Sequence, residues 1–251
     1  MSTPLRLMTL NTQLLPLASS VWAVTISIPG ALRALFPNSD EDAKEKARMV
    51  ANALLSIPSP QQPDVIGLNE VFSEDGRRVL IKMLTSVWPY VVESIEENDL
   101  EEDAGLMVFS RIPFRELPDG GYRRRLFYSV DADVDSWASK GAILVQVDQP
   151  TPETTLVFTH LQASYEQEDE YRDIRGRQLE QLVEWIDEFL EYDDMKWRNV
   201  ILAGDLNIRG DGKATGEWLD IFGENTGYIA DRLVDTFQRG GDIRIAIHFI
   251  P

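Results

Sequence analysis

Asp205 and Asn207 stand two residues apart at the end of the apolar run Asn199-Val-Ile-Leu-Ala-Gly-Asp-Leu-Asn207. Successive side chains of a strand point to opposite faces, so these two share a face while Leu206 returns to the core. Gly204 lets a substrate or a metal approach the backbone. The same Gly-Asp-x-Asn ending also serves an ordinary exit from a strand through an Asx-turn. Three other apolar runs finish in the same manner, with Asn11 closing Leu7-Met-Thr-Leu-Asn11, Glu70 closing Asp64-Val-Ile-Gly-Leu-Asn-Glu70, and His160 closing Thr154-Thr-Leu-Val-Phe-Thr-His160. Taken singly, a terminal Asn caps a turn, a terminal Glu solvates a strand end, and a lone His is a satisfied core or surface residue. Taken together, four strands each deliver a polar group at the same relative position, which points to a site. One carboxylate with an amide oxygen and waters suits a hard cation such as Mg²⁺, with Mn²⁺ as a substitute. Zinc wants more imidazole or thiolate, and the chain has two histidines and no cysteine.

The elements that must position these groups alternate between strand and helix. Asp40 to Ile57 starts acidic and places Ala47, Val50, Ala51, Leu54 and Leu55 at helical spacing, and Pro58 and Pro60 end it. Asp64 to Glu70 reads as a buried strand, Arg77 to Trp88 as a helix, and Ala104 to Ser110 as a strand stopped by Pro113. Lys140 to Val147 and Thr154 to His160 read as adjacent strands joined by a proline-containing turn. Ile174, Leu179, Leu182, Val183, Ile186 and Leu190 predict a helix from about Glu168 to Tyr192, followed by the strand Asn199 to Leu206. The order implies stacked sheets with helices outside, in one domain over residues 1–251.

Composition narrows the partners. The 251 residues are 43% hydrophobic and 26% charged, as in a globular domain, and the missing cysteines exclude disulfides, thiolate metal sites and a cysteine nucleophile. With 24 basic against 42 acidic residues the formal charge is −18, so nucleic acid is a poor default partner. Two acidic runs, Glu93 to Asp103 and Glu166 to Asp173, read as solvated faces rather than a dedicated cation site. Leu14 to Leu32 carries no charge but is interrupted by Pro16, Pro29 and Gly30. It reads either as a segment packed on the core or as an apolar finger making peripheral membrane contact through residues 14–32, and not as a spanning helix. No basic region with an apolar core opens the chain, so no signal peptide is expected, and the expected setting is cytoplasmic or peripheral to a membrane.

The landmarks Leu7-Met-Thr-Leu-Asn11, Val65-Ile-Gly-Leu-Asn-Glu-Val71, Gly105-Leu-Met-Val-Phe-Ser-Arg-Ile-Pro113, Lys140-Gly141, Phe158-Thr-His-Leu-Gln-Ala163 and Gly204-Asp-Leu-Asn207 resemble, in order, those of the endonuclease/exonuclease/phosphatase superfamily, the DNase I-like fold. Within it, Thr159-His-Leu-Gln-Ala-Ser-Tyr165, Tyr171, Arg175, Gln178 and Ser139-Lys-Gly141 are most similar to neutral and bacterial sphingomyelinases. The resemblance implies an α/β four-layer sandwich and metal-dependent cleavage of phosphate esters. It implies Glu70 as principal Mg²⁺ ligand with Asn11 beside it. His160 and Asn207 would be donors to the phosphoryl oxygens, and Asp205 the carboxylate that orients the nucleophile or assists the leaving group. Lys140 and Tyr165 would bind substrate, a phospholipid headgroup or another phosphate ester.

The resemblance further implies a closing Ser-Asp-His motif whose histidine is the general base. The sequence runs to Pro251 without one, so the expectation is a sandwich lacking its last strand, by truncation or divergence. His248 is either a replacement base or a strand residue of no catalytic consequence. The function expected is a Mg²⁺-dependent phosphodiesterase of the sphingomyelinase-like branch. The alternatives are a catalytically impaired homologue that binds metal or lipid, and a nuclease or inositol-phosphate phosphatase.

Overall fold

The computed structural model describes residues 5–14, 40–93, 104–130, 140–148, 154–164, 171–192, 200–208 and 217. Among them are the strands β1 (Leu7–Leu14), β2 (Val65–Val71), β3 (Tyr90–Glu93), β4 (Met107–Ser110), β5 (Arg124–Phe127), β6 (Gly141–Val147), β7 (Thr154–His160) and β8 (Val200–Asp205). The helices are α1 (Asp40–Ser56), α2 (Glu74–Leu84) and α3 (Arg172–Tyr192). One sheet has the order β1-β2-β4-β3 and the other β5-β6-β7-β8. β1 pairs with β2, and β7 with β8, in parallel, while the remaining pairs are antiparallel. A parallel pair needs a crossover; α1 lies in the first and α3 in the second.

Three apolar clusters define four layers. Ala47, Ala51 and Leu54 of α1 and Leu80 and Leu84 of α2 pack on Ile66, Leu68 and Phe109 of the first sheet. Leu179, Leu182, Ile186 and Phe189 of α3 pack on Leu144, Val157 and Leu202 of the second. Between the sheets lie Val65 and Val108 from one side, and Ile143, Val145, Leu156 and Phe158 from the other. β6 and β7 are therefore buried along their whole length, polar Gln146, Thr155 and Thr159 included, around the apolar stretches 142–145 and 156–158. Gly67 lets the sheets close: a Cβ there would lie 2.1 Å from the Phe158 ring.

Several boundaries differ from the sequence expectation. The helix expected from Arg77 to Trp88 lies at Glu74–Leu84, because Ser73 caps it: its Oγ accepts from the Gly76 N–H at 3.2 Å, and Glu74 and Asp75 favour the positive end of the helix dipole. Trp88 instead fills the core and donates its Nε1–H to the Pro63 carbonyl at 2.9 Å. The strand expected from Ala104 begins at Met107, and the helix expected from Glu168 begins at Arg172. Asn11 does not end its strand: β1 runs on to Leu14, with a shift of register between Asn11 and Leu14. Of the acidic runs, Glu93 lies in β3 and pairs with Arg77 at 3.3 Å, and residues 94–103 and 166–170 lie outside the described residues. Leu14 is fully buried, and 15–32 also fall outside. Among the described residues no helix is long and apolar enough to cross a membrane.

Candidate active site

The two parallel pairs put the polar residues opposite one another. Register sets Asn11 beside Asn69 in the first sheet and His160 beside Asp205 in the second. Asn11 spans the gap, its Nδ2 donating to Glu70 Oε1 at 2.8 Å and to Asp205 Oδ2 at 3.2 Å. Carboxylates only accept, so these partners fix which end of the Asn11 amide faces them. Asp205 Oδ1 accepts from the Asn207 main-chain N–H at 2.9 Å, the Asx-turn that ends β8. Asn207 Nδ2 donates to the Leu161 carbonyl at 2.8 Å, which leaves its second amide hydrogen for another acceptor. Asn207 has φ 52° and Glu70 φ 60°. Asparagine tolerates the left-handed region, but glutamate there costs about 1–3 kcal/mol, a strain typical of working sites.

His160 is 1% exposed, with Lys140 Nζ at 3.3 Å from Nε2 and 3.5 Å from Nδ1. Burial first, and the Lys140 charge second, hold its pKa well below the usual histidine value. The ring is therefore neutral at physiological pH and offers one N–H. Its Nε2 lies 3.8 Å from Glu70 Oε1. Lys140 is itself buried, so its charge acts at short range with little solvent screening. A cation, a neutral imidazole and an amide thus border two carboxylates, an arrangement that can hold a phosphoryl group between donors and a metal.

The residues fit a hard cation. Glu70 Oε1 takes the contacts from Asn11 and His160, while Oε2 has no partner among the described residues and the side chain is 20% exposed. Glu70 would hold Mg²⁺ through Oε2, with waters completing the shell, and this needs no closed cage. Asn11 turns its nitrogen toward Glu70, so sharing that ion through Oδ1 requires the amide to rotate. Among the described residues no cluster of three or more His, Asp or Glu side chains is gathered for a metal.

The structure thus brings together Asn11, Glu70, Lys140, His160, Asp205 and Asn207. Tyr165 and His248 lie outside the described residues. Sequence reasoning missed Asn69, which is 1% exposed: Nδ2 donates to the Thr159 carbonyl at 2.9 Å, and Oδ1 accepts from Thr9 Oγ1 at 3.3 Å. The Thr159 hydroxyl donates to the Gly141 carbonyl at 2.9 Å, so the Tyr128 hydroxyl, 2.7 Å away, must donate to it. Burial pushes the Tyr128 pKa well up, which keeps that hydrogen in place. Glu217, also missed, is 4% exposed and grips Arg175. The polar Asn69 in an otherwise apolar strand was a signal for the first; nothing local announces the second.

Solved structures of similar fold include a β-hairpin deletion mutant of beta toxin from Staphylococcus aureus, at TM-score 0.63 and 17% identity over 87% of this chain and 71% of that one. Sphingomyelinase C from Streptomyces griseocarneus superposes at TM-score 0.60 and 21% identity, over 86% and 68% of the two chains. A humanized TDP2 of D. rerio superposes at TM-score 0.52 and 17% identity, over 82% and 63%. A further beta toxin structure of Staphylococcus aureus, a F277A, P278A mutant with TM-score 0.61 and 16% identity, contains bound magnesium ions. No curated protein matches the sequence. The model of the endonuclease/exonuclease/phosphatase family matches residues 8–244, which include every described residue of the site. With the sandwich and the facing strand ends already in place, that match settles kinship: the chain belongs to the endonuclease/exonuclease/phosphatase family.

Proposed function

We propose that the protein is a Mg²⁺-dependent phosphodiesterase that hydrolyses a phospholipid headgroup, in the manner of a sphingomyelinase. The observation that carries this reading is the buried Lys140–His160 pair facing Glu70, 3.8 Å from the imidazole, with Asn11 joining Glu70 to Asp205. Cationic and neutral donors on one side and an open carboxylate oxygen on the other match the needs of a phosphodiester. Family membership supports phosphate-ester hydrolysis, and the fold shared with Sphingomyelinase C supports a lipid headgroup. The formal charge of −18 weighs against a nucleic acid substrate.

A bound Mg²⁺ supplies neutralisation of charge developing on the phosphoryl oxygens. Glu70 would hold it, and Lys140, His160 and the remaining amide hydrogen of Asn207 would donate to the same oxygens. Asp205, held at both oxygens by Asn11 and Asn207, orients the attacking water or assists the leaving group. The donors are fixed before substrate arrives, and losing one costs on the order of 100-fold or more in rate.

The test is release of phosphocholine from sphingomyelin vesicles with Mg²⁺, which Glu70→Ala and His160→Ala should each abolish. Vesicle binding without turnover would replace this reading with a binding homologue. Cleavage of DNA without lipid hydrolysis would replace it with a nuclease.

A further inference from the structure

Arg175, Gln178 and Gln181 recur every three residues along α3 and so form one polar stripe on a helix whose neighbouring positions are core. The stripe faces two chain segments. Gln178 Oε1 accepts from the Gln162 main-chain N–H at 2.9 Å, and its Nε2 donates to the Val130 carbonyl at 2.7 Å. Gln181 Oε1 accepts from the Ser129 N–H at 3.2 Å, and its Nε2 donates to the Ser129 hydroxyl. Arg175, fully buried, donates from Nη1 to the Gln162 carbonyl at 3.1 Å and to Ser164 Oγ at 2.8 Å. Its other face meets Glu217 fork to fork, Nε to Oε1 at 2.6 Å and Nη2 to Oε2 at 2.8 Å.

Residues 161–164 follow His160 directly, and 128–130 adjoin Lys140, whose carbonyl accepts from the Tyr128 N–H at 2.9 Å. Leu161 is fixed from the other side, its N–H donating to the Asp205 carbonyl at 2.9 Å and its carbonyl accepting from Asn207. The main chain after His160 is therefore held between the Asp205–Asn207 turn and the α3 stripe. A buried guanidinium kept solely for stability would be a poor choice, since apolar side chains of equal volume often serve as well. Its fork, however, reaches two acceptors and both oxygens of a carboxylate at once, which neither lysine nor an apolar residue can do.

We propose that Arg175, locked by Glu217, is a positioning residue that aligns His160 with the phosphoryl site through residues 161–164, and that Gln178 and Gln181 extend this alignment through residues 128–130 to Lys140. The proposal rests on the reading of His160 and Lys140 as phosphate-binding groups. A shift of about 1 Å at reacting groups costs on the order of 100-fold in rate. The variants are Arg175→Lys, which keeps the charge and loses the fork, and Gln178→Leu, which keeps the volume and loses both hydrogen bonds.

Kinetics on a soluble phosphodiester, bis(p-nitrophenyl) phosphate with Mg²⁺, should show kcat falling about 10- to 100-fold in each variant at temperatures where it is fully folded, with KM within about 2-fold of the parent. Independently of turnover, the ring resonances of His160, assigned by their loss in His160→Gln, should shift at fixed pH in both variants. Unchanged kcat with unchanged ring resonances overturns the proposal, as does a rate loss that follows the unfolded fraction alone. A parent protein without phosphodiesterase turnover overturns the proposed function, and the His160 resonances then still decide the positioning role. Should Arg175→Lys fail to fold, Gln178→Leu decides by the same two measurements.

Discussion

Asn69 reaches out of β2 and donates its side-chain amide to the main-chain oxygen of Thr159 in β7, 2.9 Å away in the opposite sheet. The residue after Asn69 is Glu70, and the residue after Thr159 is His160. One hydrogen bond therefore sets the distance between the carboxylate and the imidazole. Replacing Asn69 by Leu takes the donor from the Thr159 carbonyl and the acceptor from the buried Thr9 hydroxyl, for an expected loss of about 1–3 kcal/mol. Asn69→Asp puts an acceptor against an acceptor and should lose more. Urea unfolding of the two variants checks the order; Asp equal to or better than Leu would contradict the bridging role.

Stability should fall with pH through His160. Its pKa is lowered by burial and then by Lys140. The unfolded chain binds this proton near the ordinary value of about 6.5 while the folded chain does not, so below that pH the unfolded state holds more protons. The contribution is complete above pH 6.5 and declines as pH falls toward the depressed folded value. In EDTA, the drop in unfolding free energy from about pH 7.5 to 5.5 should be smaller in His160→Gln by about 1 kcal/mol. Equal drops would mean that His160 titrates alike in both states.

Glu70 carries a left-handed backbone, φ 60°. Glu70→Gly and Glu70→Ala both remove the carboxylate, but only glycine fits that conformation without cost. Metal-free Glu70→Gly should be more stable than Glu70→Ala by about 1 kcal/mol. Denaturant unfolding measures it, and the opposite order would argue against the strained geometry.

Gly204→Ala should be among the most damaging single-methyl additions. Its φ is 141°, and a Cβ would lie 1.9 Å from the Thr159 carbonyl oxygen, which is already committed to Asn69. The strand would have to move away, at an expected cost of about 2–5 kcal/mol. Thermal unfolding of the variant tests this, and a cost under about 1 kcal/mol would mean that β8 sits farther from β7.

The long elements were legible because their apolar spacing is set by the surfaces they cover. α1 and α3 each lie on one face of a sheet, and β6 and β7, covered on both sides, carry the unbroken apolar stretches 142–145 and 156–158. β3 and β5 were not legible. Each has four residues, and β5 reads Arg-Arg-Leu-Phe, its arginines sharing cation–π contacts with Phe189 and Phe127 rather than alternating with apolar neighbours. Of the site, Glu70, His160 and Asp205 could be seen because each follows a strand-like run. Asn11 was found for an incomplete reason, since it lies inside β1 and works by turning a register shift toward two carboxylates. Glu217 stayed hidden because its partner is 42 residues away in sequence.

The Asn11–Asp205 hydrogen bond joins residues 194 apart in the chain. Contacts of such separation are entropically expensive to close and tend to form after local pairing. A nascent chain emerging from the ribosome can build β1, α1 and β2 early, yet Glu70 then has only half of its surroundings. Not until Asp205 and Asn207 have been synthesised and β8 has docked can the donors and carboxylates meet. The candidate centre is thus unassembled throughout most of translation, and its appearance would be a late marker that both sheets have closed on each other.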